Sequence, residues 1–180
     1  NLKFYLENGG VYNDITPIRD TVVLTNPFNT TNASTTVLVT DAAHGCVTGD
    51  FVTFSGASAV GGLTIDGEFQ VTVLTANTYN ITATSQATST AGPGGGTVTA
   101  AYQINVGPEA QVPLVGWGSG GWGLGTWGNG IGSTVALRVW SQQNFGEDLV
   151  FNPRGGGLYY WDASGSLTTR SVLLNSLGGT

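Results

Sequence analysis

The sequence predicts an all-β protein: a small five-stranded barrel or sandwich module and a blade-like antiparallel meander, joined by a connector rich in Gly and Trp. Only 9% of the residues are charged and 29 are Gly, while Thr, Val and Asn are abundant, which is typical of short strands and tight turns. Short runs of alternating apolar and polar residues recur, and no long window has apolar residues at helical spacing.

The first predicted element is a hairpin within residues 1–33. Residues 2–7 and 11–15 have strand-like composition, and Asn8-Gly9-Gly10 lies between them. Gly and Asn tolerate the positive φ angles of tight hairpin turns. A further short strand is predicted at residues 22–24.

Residues 34–106 form the predicted module. Its five strands are expected at residues 35–39, 51–55, 68–74, 78–83 and 97–104, separated by turn residues. The last three alternate, as in Phe69, Val71 and Val73 against Glu68, Gln70 and Thr72. One face should pack while the other contacts water, so a small barrel or sandwich is expected, with a final loop at residues 92–96.

Residues 107–133 form the predicted connector, in which Trp117, Trp122 and Trp127 recur every five residues and are each followed by Gly. A period of five fits neither a helix nor a strand. Each Trp nevertheless offers roughly 150–250 Å² of surface that gains by burial. We expect an ordered connector pinned by three docked indole rings; stacking of these rings on sugars is the alternative.

Residues 134–180 predict a four-stranded antiparallel meander, with strands at 134–140, 148–151, 158–161 and 171–174. This is the size of one propeller blade, which cannot bury its faces alone. We therefore expect either an oligomer or a chain that continues beyond Thr180. Because the chain begins at Asn1 in strand-like sequence, we also expect a segment of a longer protein.

Charge and composition limit the partners. The net charge is −6, from five basic and eleven acidic residues, so the chain lacks the basic surface that grips phosphates. We expect no direct nucleic-acid binding. No apolar run of membrane-spanning length and no signal peptide occur, so no membrane association is predicted. Cys46 is the single Cys and has no partner for a disulfide within the chain.

His44 and Cys46 stand two residues apart and suggest a metal site. A closed zinc site needs four ligands, so we predict instead a turn histidine beside a small buried Cys, with no metal and no cofactor.

The carboxylates of Glu147, Asp148 and Asp162 suggest a glycosidase pair. Hydrogen bonding of Asp162 within a turn, and pairing of Glu147 and Asp148 with Arg138 or Arg154, are the favoured interpretations. No catalytic residue is predicted, and the protein is not expected to be an enzyme.

The predicted interface anchors are the three connector Trp residues together with Trp140, Trp161 and Arg154. Trp is enriched where one end of the ring is buried and the other is polar. Arg154 precedes three Gly residues whose amides suggest an anion-binding nest. Turn geometry is the favoured reason for these Gly residues.

The order of the motifs along the chain carries a family resemblance. They are Asp14-Ile15-Thr16-Pro17-Ile18-Arg19, Ala43-His44-Gly45, Thr48-Gly49-Asp50-Phe51-Val52, the Trp-Gly repeats, Leu137-Arg138-Val139-Trp140-Ser141, Phe145-Gly146-Glu147-Asp148-Leu149, Asn152-Pro153-Arg154-Gly155-Gly156 and Tyr159-Tyr160-Trp161-Asp162. This order resembles structural proteins of tailed-bacteriophage virions, especially long tail proteins of short-tailed phages with a propeller-like region. The middle module resembles small β-domains inserted into phage tail and surface proteins.

The resemblance implies a virion building block of the tail tube, the nozzle or an attached fibre. Its partners would be copies of itself and other virion proteins, assembled in the cytoplasm of the bacterial host. The alternative that it implies is a carbohydrate-binding adhesin module on a tail fibre or capsid surface, with a host surface glycan as ligand.

Overall fold

The computed structural model describes residues 3–105, 107 and 139–174 of the chain. These residues form antiparallel β-sheets without an α-helix, which confirms the predicted fold class. Two compact units are present: Thr16–Asn105, called here the inserted unit, and Asn1–Ile15 with Val106–Thr180, called the terminal unit. In the described part of the chain, no helix has the length and apolar character needed to cross a bilayer.

The strands follow one another closely along the described residues. In chain order they are β1 (Tyr5–Asn8), β2 (Val11–Asp14), β3 (Ile18–Thr25), β4 (Phe28–Thr30), β5 (Thr36–Thr40), β6 (Phe51–Ser55), β7 (Gly67–Gln70), β8 (Thr72–Thr75), β9 (Thr78–Thr82), β10 (Ala91–Gly94), β11 (Thr97–Gln103), β12 (Trp140–Phe145), β13 (Asp148–Pro153), β14 (Tyr159–Trp161) and β15 (Val172–Leu173).

The terminal unit contains the predicted hairpin and the predicted meander. Strands β1 and β2 pair through a turn at Gly9 and Gly10, whose φ angles are 61° and 84°. Positive φ at both central positions is what a type I′ turn requires, and Gly adopts it without steric cost. The meander sheet has the order β12-β13-β14-β15, so each strand pairs with its neighbour in sequence.

The inserted unit is a sandwich of two sheets, with strand orders β10-β4-β5-β9-β8 and β3-β11-β6-β7. Alternate residues of both sheets point into one apolar core. The rings of Phe28 and Phe54 meet edge to face across this core, with centroids 5.1 Å apart. The core residues of the first sheet include Phe28, Val37, Val39, Tyr79 and Ile81, and those of the second include Val52, Phe54, Val98, Ala100 and Tyr102.

The inserted unit has more strands than the five that the sequence predicts. Strand β3 pairs with β11 along most of its length, so it belongs to this unit and not with the hairpin. The predicted loop at 92–96 is wrong in its first half, because β10 pairs with β4 there. The predicted single strand at 68–74 is also wrong, because the chain passes from one sheet to the other at Val71.

Val71 is held at this crossing by the backbone of the Thr48-Gly49-Asp50 turn. Its N–H donates to the Asp50 carbonyl and its carbonyl accepts from the Gly49 N–H, both at 2.8 Å. Its side chain is 1% exposed. The turn therefore fixes the point at which one continuous run of strand-like sequence divides between two sheets.

Candidate functional site

His44 and Cys46 lie next to each other in a buried turn of the inserted unit. The His44 Nδ1 atom accepts a hydrogen bond from the Cys46 backbone N–H at 3.0 Å, and Nε2 lies 3.0 Å from the Thr75 carbonyl. Because a carbonyl only accepts, Nε2 carries the proton and the ring is neutral. These contacts confirm the predicted turn histidine beside a small buried Cys. Both ring nitrogens are used by the backbone, which leaves none to bind a metal.

Arg19 covers this turn from strand β3. Its Nη2 atom donates to the His44 carbonyl at 2.6 Å and lies 3.1 Å from the Cys46 Sγ. Burial raises the pKa of the Cys46 thiol to about 11, and the opposing effect of the guanidinium is smaller. The thiol is therefore protonated at neutral pH, whereas a nucleophile or metal ligand would need the thiolate.

Two buried tyrosines connect the same region to Asp41. The Tyr102 hydroxyl donates to Asp41 Oδ2 at 2.6 Å, and the Tyr79 hydroxyl lies 2.7 Å from that of Tyr102. Since the Tyr102 proton is used, Tyr79 must be the donor to the Tyr102 oxygen. Burial raises the pKa of both phenols. The two neutral hydroxyls thus form a chain of hydrogen bonds, called here the relay, that stabilises the buried carboxylate of Asp41.

Sequence reasoning missed this polar cluster. Its members come from β3, the 41–46 turn, β9 and β11, and no local pattern brings these segments together. The Arg19 guanidinium also lies 5.2 Å from the centroid of the Tyr102 ring, which ties β3 to the cluster by a cation–π contact. The arrangement thus connects these segments by polar contacts within the inserted unit.

Asp148 and Asp162, two of the acidic residues considered for a glycosidase pair, serve local structure in the terminal unit. Asp148 accepts hydrogen bonds from the Tyr160 hydroxyl and, at 2.9 Å, from the Ala163 N–H. The bond from Tyr160 and, after it, the bond from Ala163 hold the pKa of Asp148 below its ordinary value, and the bond to Asp148 raises the pKa of Tyr160 to about 12. Among the described residues, Asp148 has these partners rather than the predicted Arg154, and Arg138, the other predicted partner, lies outside the described residues.

Asp162 forms the predicted turn. Its Oδ1 atom accepts from the Ser164 N–H at 2.8 Å and from the Ser164 hydroxyl at 2.7 Å. This is the contact by which Asp residues close a turn on the chain two residues further along. The carboxylates of Asp162 and Asp148 therefore both accept hydrogen bonds from the loop after β14 and shape that loop.

The Gly-rich loop after β13 is a turn, in accordance with the favoured interpretation. Gly155 has a φ angle of 74°, and the Gly156 N–H donates to the Pro153 carbonyl at 2.8 Å. The Asn152 side-chain amide donates to the carbonyls of Gly156 and Gly157, at 3.0 and 2.9 Å. The glycines thus serve turn geometry, and the Arg154 side chain is exposed.

Trp140 and Trp161 both pack within the terminal unit. The Trp140 ring lies 5.1 Å from Phe4 and 5.7 Å from Phe151, and Phe4 stacks on Phe151 at 4.4 Å. Trp161 is 5% exposed and donates its indole N–H to the Thr169 carbonyl at 3.0 Å. Trp140 thus packs the meander against the residue that precedes β1, whereas Trp161 is held within the meander itself. Trp117, Trp122 and Trp127, with residues 108–133 of the connector, lie outside the described residues, so their docking stays a prediction.

Charged and polar contacts also connect the hairpin to the segment before β15. The Asp14 carboxylate at the end of β2 binds Lys3 at 3.0 Å and Arg170 at 2.6 Å. The Ser171 hydroxyl donates to the Ile15 carbonyl at 2.7 Å. These residues hold the segment before β15 against the hairpin, so the first and last described parts of the chain fold together.

The terminal unit exposes most of the large apolar side chains that are exposed in the described part of the chain. Tyr12 is 73% exposed and Phe145 is 72% exposed. Exposed side chains of this size gain free energy when a partner surface removes them from water. The exposed side chains of this unit are Tyr5, Val11, Tyr12, Val139, Phe145, Leu158, Val172, Leu173 and Leu174, whereas those of the inserted unit are Val23, Val47 and Leu74.

Comparison with known proteins gives similarity of low degree. No family model matches the chain, and no curated protein does. Among solved structures, the chain is similar to a chain described as phage phi92 endosialidase, with 17% sequence identity and a TM-score of 0.46. The similarity covers 87% of this chain and spans 24% of that chain's length. At this level of similarity, the function has to be inferred from the residues themselves.

Proposed function

We propose that the protein is a non-catalytic structural component of a bacteriophage virion, in the tail tube, the nozzle or an attached fibre. It acts by assembling with copies of itself and with other virion proteins. The observation that carries the proposal is the concentration of exposed apolar side chains on the terminal unit. The resemblance of the ordered motifs to tailed-phage structural proteins supplies the biological setting.

The energetics of these side chains favour association. Burying an exposed Phe or Tyr ring contributes roughly 1.5–3 kcal/mol. Tyr12 and Phe145, each more than 70% exposed, therefore have much to gain from a partner surface. The low charge content, 9% of residues, keeps the cost of desolvating an interface small.

The polar groups support a non-catalytic role. His44 uses both ring nitrogens for backbone contacts, the Cys46 thiol is held in its protonated form, and Asp148 and Asp162 close a loop. Each of these groups already has a structural task, and none is paired with a second group in the manner of an acid and a base.

The proposal is tested by locating the protein in the particle and by measuring the assembly of the full chain. Antibody-labelled electron micrographs of particles that carry the protein should show label on the tail or its fibres, and sedimentation of the purified chain should show multimers. Replacing Phe145 and Tyr12 together by Ser should reduce the multimer. Val23→Ser is the matched control, because Val23 is 67% exposed but lies in the inserted unit. Unlabelled particles and a monomeric chain would refute the proposal.

A carbohydrate-binding adhesin module is the second candidate. The exposed aromatic rings of Tyr5, Tyr12 and Phe145 favour it, since such rings stack on the apolar faces of sugars. Binding of host surface polysaccharide to the full chain, followed by the change in Trp emission, should then be lost in Tyr12→Ser. Retained binding in that variant would remove Tyr12 from the binding surface, and no binding by the parent chain removes the candidate.

A further inference from the structure

The β1–β2 hairpin carries two exposed tyrosines on one of its faces. Its register is regular and pairs Tyr5 with Asp14 and Glu7 with Tyr12. Side chains alternate between the two faces of a strand, and directly paired residues share a face. Tyr5, Glu7, Tyr12 and Asp14 therefore lie on the same side of the hairpin, called here the tyrosine face.

The opposite face of the hairpin packs within the terminal unit. The ladder continues to Phe4, whose carbonyl accepts from the Ile15 N–H at 3.0 Å, and the Phe4 ring stacks on Phe151 at 4.4 Å. Leu6 and Asn13, which are paired on this face, are half-buried. The two tyrosines, by contrast, are 50% and 73% exposed. The hairpin thus uses one face for packing and keeps the rings of the other accessible.

The two rings are neighbours on the tyrosine face. Tyr12 lies two residues before Asp14, the partner of Tyr5, so the tyrosines occupy diagonal positions of the ladder. Diagonal neighbours are roughly 7–8 Å apart, which is within reach of aromatic side chains. A Tyr ring has an apolar face and a polar hydroxyl. The pair therefore forms a short row of apolar surface that can contact two successive units of a chain-like ligand.

A carboxylate borders this row at Tyr12. Glu7 is paired with Tyr12, and its Oε1 atom accepts from the Gly10 N–H at 2.6 Å, which holds the carboxylate in place. An ionised carboxylate has about four acceptor positions, and Glu7 is exposed. Glu7 can therefore accept further hydrogen bonds from a ligand that lies on the two rings.

A second charged group borders the row at Tyr5. The Asp14 carboxylate binds Lys3 at 3.0 Å and Arg170 at 2.6 Å, and the side chains of Lys3, Asp14 and Arg170 are 10%, 16% and 26% exposed. The core of a protein–protein interface is depleted in charged residues. A sugar, however, offers an apolar ring face surrounded by hydroxyl groups. Aromatic rings bordered by fixed charged groups therefore match a sugar better than they match a protein surface.

We propose that the tyrosine face binds a neutral glycan, with Tyr5 and Tyr12 stacked on successive hexose rings and Glu7 accepting a hydrogen bond from a sugar hydroxyl. This inference rests on the carbohydrate-binding candidate given above and names its surface and its ligand class. The net charge of −6 and the Glu7 carboxylate repel acidic sugars, so an uncharged ligand is favoured. The exposed side chains of the meander, such as Phe145, remain for assembly.

The first test measures the ligand class. The full chain is titrated calorimetrically with a panel of neutral hexasaccharides that includes cellohexaose, maltohexaose and chitohexaose, and with oligogalacturonate as the acidic counterpart. At least one neutral hexasaccharide should bind, and oligogalacturonate should bind more weakly. The absence of binding to every neutral hexasaccharide, or tighter binding of oligogalacturonate, would overturn the proposal.

The second test identifies the surface. A stacked sugar covers about half of a Tyr ring, so Tyr5→Ser and Tyr12→Ser should each raise the dissociation constant about tenfold. Tyr12→Phe keeps the ring and should change it less than about threefold. Val11→Ser is the matched control, because Val11 is 59% exposed in the same hairpin but is paired with Asn8 on the opposite face. Near-ultraviolet circular dichroism reports whether each variant has folded.

The polar contact has its own variant. Glu7→Gln keeps an acceptor oxygen but removes the charge, and a hydrogen bond to a charged group is roughly twice as strong as a neutral one. This variant should bind the neutral hexasaccharide several-fold more weakly and oligogalacturonate more tightly than the parent chain does. A folded Tyr5→Ser, Tyr12→Ser double variant that binds like the parent chain, or an equal loss in Val11→Ser, would overturn the assignment of the surface.

Sedimentation of the same samples separates the ligand from the assembly role. Loss of glycan binding in Tyr5→Ser with multimers of unchanged size is the expected result. Multimers without any glycan binding in the parent chain would overturn this inference and still support the assembly role. Multimers that dissociate in Tyr5→Ser, in a chain that binds no glycan, would show that the tyrosine face contacts a second copy and would overturn the choice of ligand.

Discussion

Replacing Tyr102 with Phe removes one hydroxyl from the middle of the buried relay and leaves the ring in place. Packing in the core and the contact of Arg19 with the ring are retained, so the change isolates the hydrogen bonds. The variant loses the bond from Tyr102 to the Asp41 carboxylate, at 2.6 Å in the parent chain. It also leaves the fully buried Tyr79 hydroxyl without its acceptor.

The cost follows from these two losses. A hydrogen bond to a charged group contributes about 1.5–3 kcal/mol, and an unsatisfied buried hydroxyl costs about 1 kcal/mol or more. We therefore expect Tyr102→Phe to lower the free energy of unfolding of the inserted unit by about 3 kcal/mol. Tyr79→Phe, the matched control, removes one neutral bond and should cost about 1 kcal/mol.

The assay uses the position of the Trp residues. All five Trp residues of the chain lie outside Thr16–Asn105, so Trp emission follows the terminal unit and hydrogen exchange at β5, β9 and β11 follows the inserted unit. In Tyr102→Phe, the amides of β5, β9 and β11 should lose their protection from hydrogen exchange at a lower urea concentration than in the parent chain. The unfolding transition followed by Trp emission should stay at the same urea concentration. Equal losses for the two Phe variants would refute the relay, because the carboxylate would then not depend on Tyr102.

Three further predictions follow from the described contacts. Cys46 should react slowly with iodoacetamide at pH 7.5 and rapidly after unfolding, since its folded pKa is about 11; equal rates would contradict this. Gly61→Ala should lower the free energy of unfolding by about 2 kcal/mol more than Gly56→Ala in urea titrations, because a Cβ at Gly61 would lie 2.1 Å from a Thr hydroxyl whereas the nearest atom to a Cβ at Gly56 lies at an ordinary contact distance of 3.5 Å. Both sites lie in the inserted unit, and their φ angles of 56° and 81° are close, so backbone strain is comparable. The pKa of Asp148 is lowered in the folded state, so its stabilisation is present above the unfolded value near 3.8 and is lost as pH falls through the lower folded value. Asp148→Asn should remove this contribution to the pH dependence of the melting temperature followed by Trp emission, and Tyr160→Phe should remove part of it. An unchanged loss of stability at low pH in both variants would contradict the prediction.

Local signals account for the elements that the sequence predicts correctly. The Gly9-Gly10 turn and the alternation in β9 and β11 depend on neighbouring residues, and the same holds for β13 and β14. The first meander strand is predicted too early, at 134–140, whereas β12 spans Trp140–Phe145, and residues 134–138 lie outside the described part of the chain. By contrast, β3 pairs with β11 across most of the inserted unit, and its short alternating stretch gives no indication of the partner. Such pairings depend on the whole fold.

The errors have identifiable causes. Gly and Pro at residues 92–96 predict a loop, yet β4 pairs with residues 91–94, and the Phe28 ring fills the space that a Cβ at Gly95 would need, at 2.5 Å. The run from 68 to 74 alternates without a break, and only the turn that binds Val71 divides it. The cluster around His44 needs Arg19 and Tyr102, which lie on adjacent strands but are remote in sequence.

The entry and exit of the inserted unit lie side by side, because the Ile104 N–H donates to the Pro17 carbonyl at 3.0 Å. A polypeptide that leaves and returns at neighbouring points can be accepted within a surface turn of a host fold, since the flanking backbone need not move apart. Residues 18–103 should therefore be replaceable by a short turn, and the same segment should be transferable to another β-hairpin. The geometry makes this nine-stranded sandwich a module that can be exchanged independently of the meander sheet.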